Sequence, residues 1–299
     1  MRHRAALPRR AVLAVPGADD AGAQAAGTVD AVGAQVTDWS PGDRAVANYY
    51  LFCGSCRWCL AGRQNLCLRP RGVLAFAADG AFAEHVVVPA HCLVRLPVQL
   101  SFEQAAPLCC AGATAVHAFA EGDVAPGEVV VVLGAGGVGL PVVQEAHRRG
   151  ARVVAVSRDA ARRSLALAAG AACAVDPQDP PNAVQRVSDG QGADAVVELA
   201  GVRATLDLAV QVLGRRGRLV LVGYSADQLT VSPLSMVIAE QRVVASVGNT
   251  HAELVAAVHL AAAGQLLPPV AATAPLREVN AALARLRAGD VAGRLVLTP

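Results

Sequence analysis

After Glu128, apolar strands alternate with helix-length stretches. Before it, short β-branched runs are separated by turn signals, and a glycine-rich turn joins the first apolar strand to the first helix. Together these features predict an α/β domain with a parallel, doubly wound sheet and a separate antiparallel, barrel-like β module. Strands separated by helices need crossover connections, so the sheet is expected to be parallel and covered on both faces. Its strands are expected at residues 129–133, 152–156, 195–198, 218–222 and 242–246, with a helix at 140–149. In the barrel-like module, Thr28-Val29, Arg44-Ala45-Val46, Glu84-His85-Val86-Val87-Val88 and Cys92-Leu93-Val94 read as strands. The tail predicts a helix at 252–263, a break at Pro268-Pro269, a helix at 276–288 and a strand at 293–297. The first twenty residues are rich in alanine, arginine and proline without a period, and no element is assigned to them.

The chain has 299 residues, 54% of them hydrophobic and 17% charged, enough for about two domains with their own cores. Every one of its 26 positive residues is arginine, which excludes Schiff-base catalysis and any phosphate loop built on an essential lysine. Arg2, Arg4, Arg9 and Arg10 outweigh the net charge of +2, so the remaining chain is slightly acidic and offers no case for binding nucleic acid. The longest apolar run, residues 129–143, is broken by glycines and falls short of the roughly 18 residues of a membrane span. The arginine-rich start is followed by too brief an apolar stretch for a signal peptide, and the expected location is the cytoplasm.

Four of the eight cysteines fall in one short loop: Cys53-Gly-Ser-Cys56-Arg-Trp-Cys59, then Cys67. Four thiolates at this spacing can close a tetrahedral shell, as in a structural zinc site with no open position. Reduced cysteines without metal, or an iron–sulfur cluster, are the other readings.

Residues 129–133 run directly into Gly134-Ala-Gly136-Gly137-Val138-Gly139, with a helix following. In this strand–turn–helix context, the pattern reads as the dinucleotide-binding turn of a Rossmann domain, a glycine-rich turn without a ligand being the plain alternative. The first glycine makes the turn, the second admits a pyrophosphate, and the third packs helix on strand. The helix N-terminus adds partial positive charge for the phosphates. At the end of the second strand, where NAD sites carry an acid for the ribose, stand Ser157 and Arg158, with Arg162 and Arg163 a turn later. A neutral residue beside a guanidinium suits a 2′-phosphate, so NADP(H) is expected over NAD(H); a solvated helix face is the plain alternative for these arginines.

With these motifs in place, the chain resembles the medium-chain dehydrogenase/reductase family, in its zinc-containing alcohol dehydrogenase branch. The likeness runs from about Gly22 to Pro299 through Gly27-Thr-Val-Asp-Ala-Val-Gly33, Pro41-Gly-Asp-Arg44, the cysteine loop and Asp79-Gly-Ala-Phe-Ala-Glu84. It continues through Ala105-Ala-Pro-Leu-Cys-Cys-Ala-Gly-Ala-Thr114, the glycine turn, Gly217-Arg-Leu-Val-Leu-Val-Gly223, Ser246-Val-Gly248 and Gly293-Arg-Leu-Val296. The resemblance implies a GroES-like β-barrel catalytic domain at residues 1–113, a Rossmann domain at 114–246 and a return segment at 247–299. It also implies hydride transfer between a nicotinamide and an alcohol or carbonyl compound, and a dimer or tetramer. By matching position, Cys110 looks like one ligand of a catalytic zinc, or else a small core residue beside Cys109. Arg294 looks like a cofactor-phosphate contact, and Val222, Gly223, Val247 and Asn249 look like the nicotinamide path.

The pattern then fails at one place. The family's Gly-His-Glu triplet is replaced by Gly22-Ala23-Gln24, and a slipped match on Gly17-Ala18-Asp19 restores an acid but no histidine. No cysteine precedes Cys53 to serve as the first ligand, which implies a barrel that begins late. His3, His85, His91 and His117 are expected to be ordinary barrel, terminal or helix-start residues. A catalytic zinc usually needs three protein ligands, so one structural zinc and no complete catalytic metal site are expected. The leading expectation is an alcohol dehydrogenase-type oxidoreductase. The alternatives are a catalytically impaired or non-catalytic dinucleotide binder and a zinc-independent enone- or quinone-type reductase.

Overall fold

The computed structural model describes residues 22–299 in full and residues 10–14 as backbone. The chain forms two compact units: Met1–Ala113 with Asn249–Pro299, and Thr114–Gly248.

The first unit begins with strands β1 (Arg10–Ala14), β2 (Ala25–Val32), β3 (Arg44–Ala47), β4 (His85–Pro89) and β5 (Leu93–Arg95). They make an antiparallel sheet in the order β4-β1-β2-β3-β5. Strand β1 corrects the sequence reading, which gave the opening residues no element. Its five residues carry little periodic signal, and pairing with β2 and β4 on both sides decides their conformation. The short helix α1 (Arg57–Leu60) lies between β3 and β4, and α2 (Phe102–Ala105) follows β5, starting at a Ser101/Gln104 capping box.

Helix α3 (Ala111–Gly122) carries the chain into the second unit. There β6 (Val129–Leu133), β7 (Arg152–Val156), β8 (Cys173–Val175), β9 (Ala193–Glu198), β10 (Leu213–Leu221) and β11 (Arg242–Ala245) form a parallel sheet ordered β11-β10-β9-β6-β7-β8. Helices α4 (Gly139–Arg148), α5 (Ala160–Ala168), α6 (Pro180–Val187), α7 (Arg203–Val212) and α8 (Pro233–Ala239) fill the crossovers. All five residues of β6 are buried. Val130 and Val132 pack with Phe119 and Leu140, while Val131 and Leu133 pack with Val184 and Leu219. A strand covered on both faces explains why its sequence is a continuous apolar run rather than an alternation. Each such side chain contributes about 1.5–3 kcal/mol by leaving water.

The chain then returns to the first unit through α9 (His251–Ala262), β12 (Val270–Pro275), α10 (Val279–Ala288) and β13 (Arg294–Thr298). Strand β12, directly after Pro268-Pro269, has no counterpart in the sequence reading; its parallel pairing with β13 supplies the order that its composition does not. The expected helix at 276–288 is split, with Leu276–Glu278 a 3-10 turn before α10. No helix among the described residues is long and apolar enough to cross a membrane.

Candidate functional site

In the first unit, the loop after Phe52 turns through Gly54 at φ +73° and into α1, which brings four sulfurs together. The Sγ atoms of Cys53, Cys56, Cys59 and Cys67 all lie within 4.8 Å of one another. Three of the separations are 3.5 Å (Cys56–Cys59), 3.9 Å (Cys53–Cys59) and 3.9 Å (Cys56–Cys67). Zinc–sulfur bonds of about 2.3 Å put tetrahedral sulfurs about 3.8 Å apart, so the four thiols fit a zinc shell as they stand. Backbone N–H groups of Ser55 and Cys56 point at Cys53 Sγ, and that of Cys53 at Cys67 Sγ. The Ser55 amide leads in drawing the Cys53 thiol down to about 5, while burial pushes Cys59 up to about 12. A bound cation would stabilise all four as thiolates.

The surroundings of Cys110 differ. This half-buried thiol stands at the end of a 3-10 turn just before α3, beside fully buried Cys109. Burial first, then nearby Cys110 and Tyr50, hold the Tyr49 hydroxyl well above its ordinary value, so it stays protonated. Ala23 and Gln24 are buried where the resemblance would place a histidine and a glutamate, and Gln24 Oε1 has no hydrogen-bond partner. Among the described residues, the four-cysteine group is the only cluster of three or more metal-donor side chains. A catalytic zinc therefore does not fit the described residues: one thiol, a methyl group and an amide do not make its shell. His3 and the alternative Gly17-Ala18-Asp19 lie outside the described residues. His85 faces Asp30 at 3.7 Å, His91 Nε2 lies 2.8 Å from the Phe52 carbonyl oxygen, and His117 is buried in α3.

In the second unit, the glycine turn follows the carboxyl end of β6. Gly134 has φ +111°, which favours glycine, and its N–H donates to the Val156 carbonyl at 3.0 Å. A Cβ on Gly139 would stand 1.7 Å from the Gly134 carbonyl oxygen, whereas one on Gly136 would meet nothing within 4 Å. The third glycine is thus compelled by packing, and the second faces open space that a pyrophosphate could approach. Gly137 and Val138 complete the turn, and α4 begins at Gly139 without a side-chain cap, its Leu140 N–H donating to the Gly136 carbonyl at 3.0 Å. At the end of β7, Ser157 is buried and Arg158 exposed. Arg163 is committed elsewhere: its Nη1 donates to the Ser157 and Arg158 carbonyls at 2.7 and 2.9 Å and faces Asp176. Val222 and Gly223 extend β10, and both N–H groups donate to the Glu198 carbonyl at 2.9 Å. Val247 is half exposed.

On the return segment in the first unit, Asn249 is fully buried and its Nδ2 donates to the Thr250 carbonyl. Arg294, also buried, opens β13 and its N–H donates to the Pro269 carbonyl. Sequence reading missed Gln64, Phe52 and Tyr49. Gln64 bonds across 187 positions of sequence, a partnership that no local pattern announces.

Comparison with known proteins places these features. A family described as "Alcohol dehydrogenase GroES-like domain" matches residues 7–98, and one described as "Zinc-binding dehydrogenase" matches residues 137–263. A protein named NAD-dependent alcohol dehydrogenase from Sulfurisphaera tokodaii is 35% identical over 283 residues, covering 93% of this chain and 81% of its own. An alcohol dehydrogenase from Geobacillus stearothermophilus is 32% identical over 277 residues, covering 92% and 82%. The solved alcohol dehydrogenase TADH from Thermus sp. ATN1 superposes with a TM-score of 0.92 at 28% identity, covering 99% of this chain and 94% of its own. The chain belongs to the zinc-containing alcohol dehydrogenase branch of the medium-chain dehydrogenase/reductase family and is an alcohol dehydrogenase-like oxidoreductase.

Proposed function

We propose that the protein moves a hydride between a nicotinamide cofactor and a small alcohol or carbonyl compound, with NADP(H) the preferred cofactor. The observation that carries this reading is the glycine turn, where Gly139 leaves no room for a side chain and Gly136 faces open space. The cofactor, when bound, supplies or accepts the hydride. Gly134, Gly136, Gly137, Val138 and Gly139 would form its phosphate cradle, with the N-terminus of α4 adding partial positive charge. Val222, Gly223, Val247, Asn249 and Arg294 are proposed as further cofactor-binding residues. Cys53, Cys56, Cys59 and Cys67 would hold one zinc in a closed shell, which fastens the loop and offers no open position for chemistry.

The NADP(H) preference is supported by Ser157 and Arg158, which place a neutral hydroxyl and an exposed guanidinium where NAD sites carry an acid. The Sulfurisphaera tokodaii relative is NAD-dependent by name, so this chain is proposed to depart from it. Fluorescence titration checks the point: NADPH should bind more tightly than NADH, and Arg158→Ala should weaken NADPH by about tenfold or more, the worth of a charge-assisted hydrogen bond. Tighter NADH binding would refute the preference. Cofactor consumption over a panel of alcohols, aldehydes and ketones tests the activity itself, and no turnover with any of them would sink it. The relatives do not favour the non-catalytic or enone- and quinone-reductase alternatives.

A homo-oligomer, dimer or tetramer, is proposed on the exposed apolar side chains Leu234, Val237 and Ile238 of α8, together with β11, an edge strand of the sheet with Val243 exposed. Light scattering of the purified protein decides it. A reducing compartment, the cytoplasm, is proposed on eight cysteines, none of which forms a disulfide among the described residues.

A further inference from the structure

Gln64 lies within the four-cysteine loop, between Cys59 and Cys67, and its Oε1 accepts a hydrogen bond from the His251 backbone N–H at 3.2 Å. That amide belongs to the first turn of α9, where no helical carbonyl can serve it. A capping box secures the same turn from within: Thr250 Oγ1 accepts from the Glu253 N–H, and the Glu253 carboxylate accepts from the Thr250 N–H. The cysteine loop secures it from outside a second time. Phe52, next to Cys53, sets its ring edge-on to that of His251 with centroids 5.7 Å apart, and stacks obliquely with His91 at 5.0 Å. His91 in turn fixes the Phe52 carbonyl. Immediately before this turn lies Asn249, fully buried, with Oδ1 unpartnered; its side-chain bond to the Thr250 carbonyl ties it to the same anchors.

We propose that Gln64 and Phe52 are positioning residues for the Asn249–Thr250–His251 turn, so that metal loading of the four-cysteine loop sets the affinity for the cofactor. The inference rests on the reading that Asn249 belongs to the nicotinamide path. The physical link is short. A metal ion held by Cys53, Cys56, Cys59 and Cys67 would fix residues 53–67, and with them the Gln64 acceptor and the ring of the adjoining Phe52. Without metal the loop recovers conformational freedom, and holding those two contacts costs the entropy of reordering it.

The test uses the full chain and three measurements: zinc content, hydrogen exchange of amides in residues 249–255, and cofactor affinity by fluorescence titration. Gln64→Ala should retain zinc, expose the His251 amide to faster exchange and weaken cofactor binding by about three- to tenfold, the worth of one neutral hydrogen bond. Gln64→Glu keeps an acceptor oxygen and should restore both. Phe52→Leu keeps apolar bulk without the ring and should show a smaller change in the same direction. Wild-type protein stripped of zinc by a chelator should reproduce the Gln64→Ala exchange pattern at His251. Wild-type exchange and affinity in Gln64→Ala, with zinc retained, would overturn the proposal. So would loss of zinc from that variant, since Gln64 would then act on the loop itself. Asn249→Ala separates the two levels. If it binds cofactor normally, the reading of that turn fails and the proposal fails with it. If it binds weakly while Gln64→Ala binds normally, only the proposal fails.

Discussion

The four-cysteine loop and the surroundings of Cys110 belong to the same unit, yet one presents a complete set of metal donors and the other a single thiol. The loop draws all its ligands from residues 53–67, with backbone amides and a one-turn helix placing each sulfur. Cys110 would need partners from distant segments. Where the resemblance looks for one, Ala23 offers a methyl group and Gln24 an amide. A site written in one short segment tolerates change elsewhere in the chain, because closing a short loop is inexpensive and its donors arrive together. A site assembled from remote segments is lost when any one of them changes.

The largest expected effect tests that contrast directly. Elemental analysis of purified protein should give about one zinc per chain; Cys59→Ser should lose it, and Cys110→Ser should leave it unchanged. Structural zinc shells contribute about 10–16 kcal/mol of apparent binding energy in small zinc domains, so the Cys59 variant should melt at a much lower temperature. Two zinc ions per wild-type chain would break the comparison, because a second shell would then have formed.

A change in the other unit should sharpen it. Gly139→Ala forces a Cβ to within 1.7 Å of the Gly134 carbonyl oxygen, so the turn must open. Nucleotide binding should be lost and stability should fall by about 3 kcal/mol or more, as expected where backbone strain has no relief. Zinc content should stay at one per chain, since the cysteine loop depends on nothing in that turn. A fall in zinc together with nucleotide binding would show that the loop is not autonomous.

Proton binding offers a smaller effect at the edge of the loop. Burial, and then the neighbouring His91, hold His251 below its ordinary value of 6.5. The folded chain thus binds that proton less readily than the unfolded chain does. The stability tied to neutral His251 is present above about pH 6.5 and is lost as pH falls through the lowered folded value. Amides at the start of α9 should exchange faster, relative to their intrinsic rates, at pH 5.5 than at pH 7.5. His251→Gln, which does not titrate, should flatten that difference; an unchanged pH dependence in the variant would remove His251 as its cause.

The same contrast explains what was legible in the sequence. The cysteine spacing and the glycine turn each place a whole constellation within a few residues, and the structure brings both together where the sequence put them. The parallel sheet was legible because its central strands are buried on both faces and so read as unbroken apolar runs. Strand β1 was not, because pairing on two sides orders five residues of indifferent composition. Nor was β12, whose half-exposed Val270-Ala-Ala-Thr-Ala-Pro275 owes its conformation to β13. Arg163 shows the opposite failure. Its position in sequence suggested a phosphate contact, but its guanidinium is spent on the carbonyls of the loop it was expected to arm.

The smallest expected effect concerns Gln24, and its sign carries the information. The side chain is 1% exposed and its Oε1 meets no donor, so folding removes an acceptor from water without replacing its partner. Such an orphan costs about 1–3 kcal/mol. Gln24→Met, close in shape and apolar, should therefore be neutral or stabilising by about 1 kcal/mol, seen as a slightly raised melting temperature. Ala23→His, made beside it, should leave zinc at one per chain, because one added donor with Cys110 still falls short of three. If instead Gln24→Met lowers kcat/KM by tenfold while raising stability, the unpartnered oxygen is held ready for a group that arrives with the substrate. Gln24 would then act as an amide where the resemblance expects an acid beside the metal ligand.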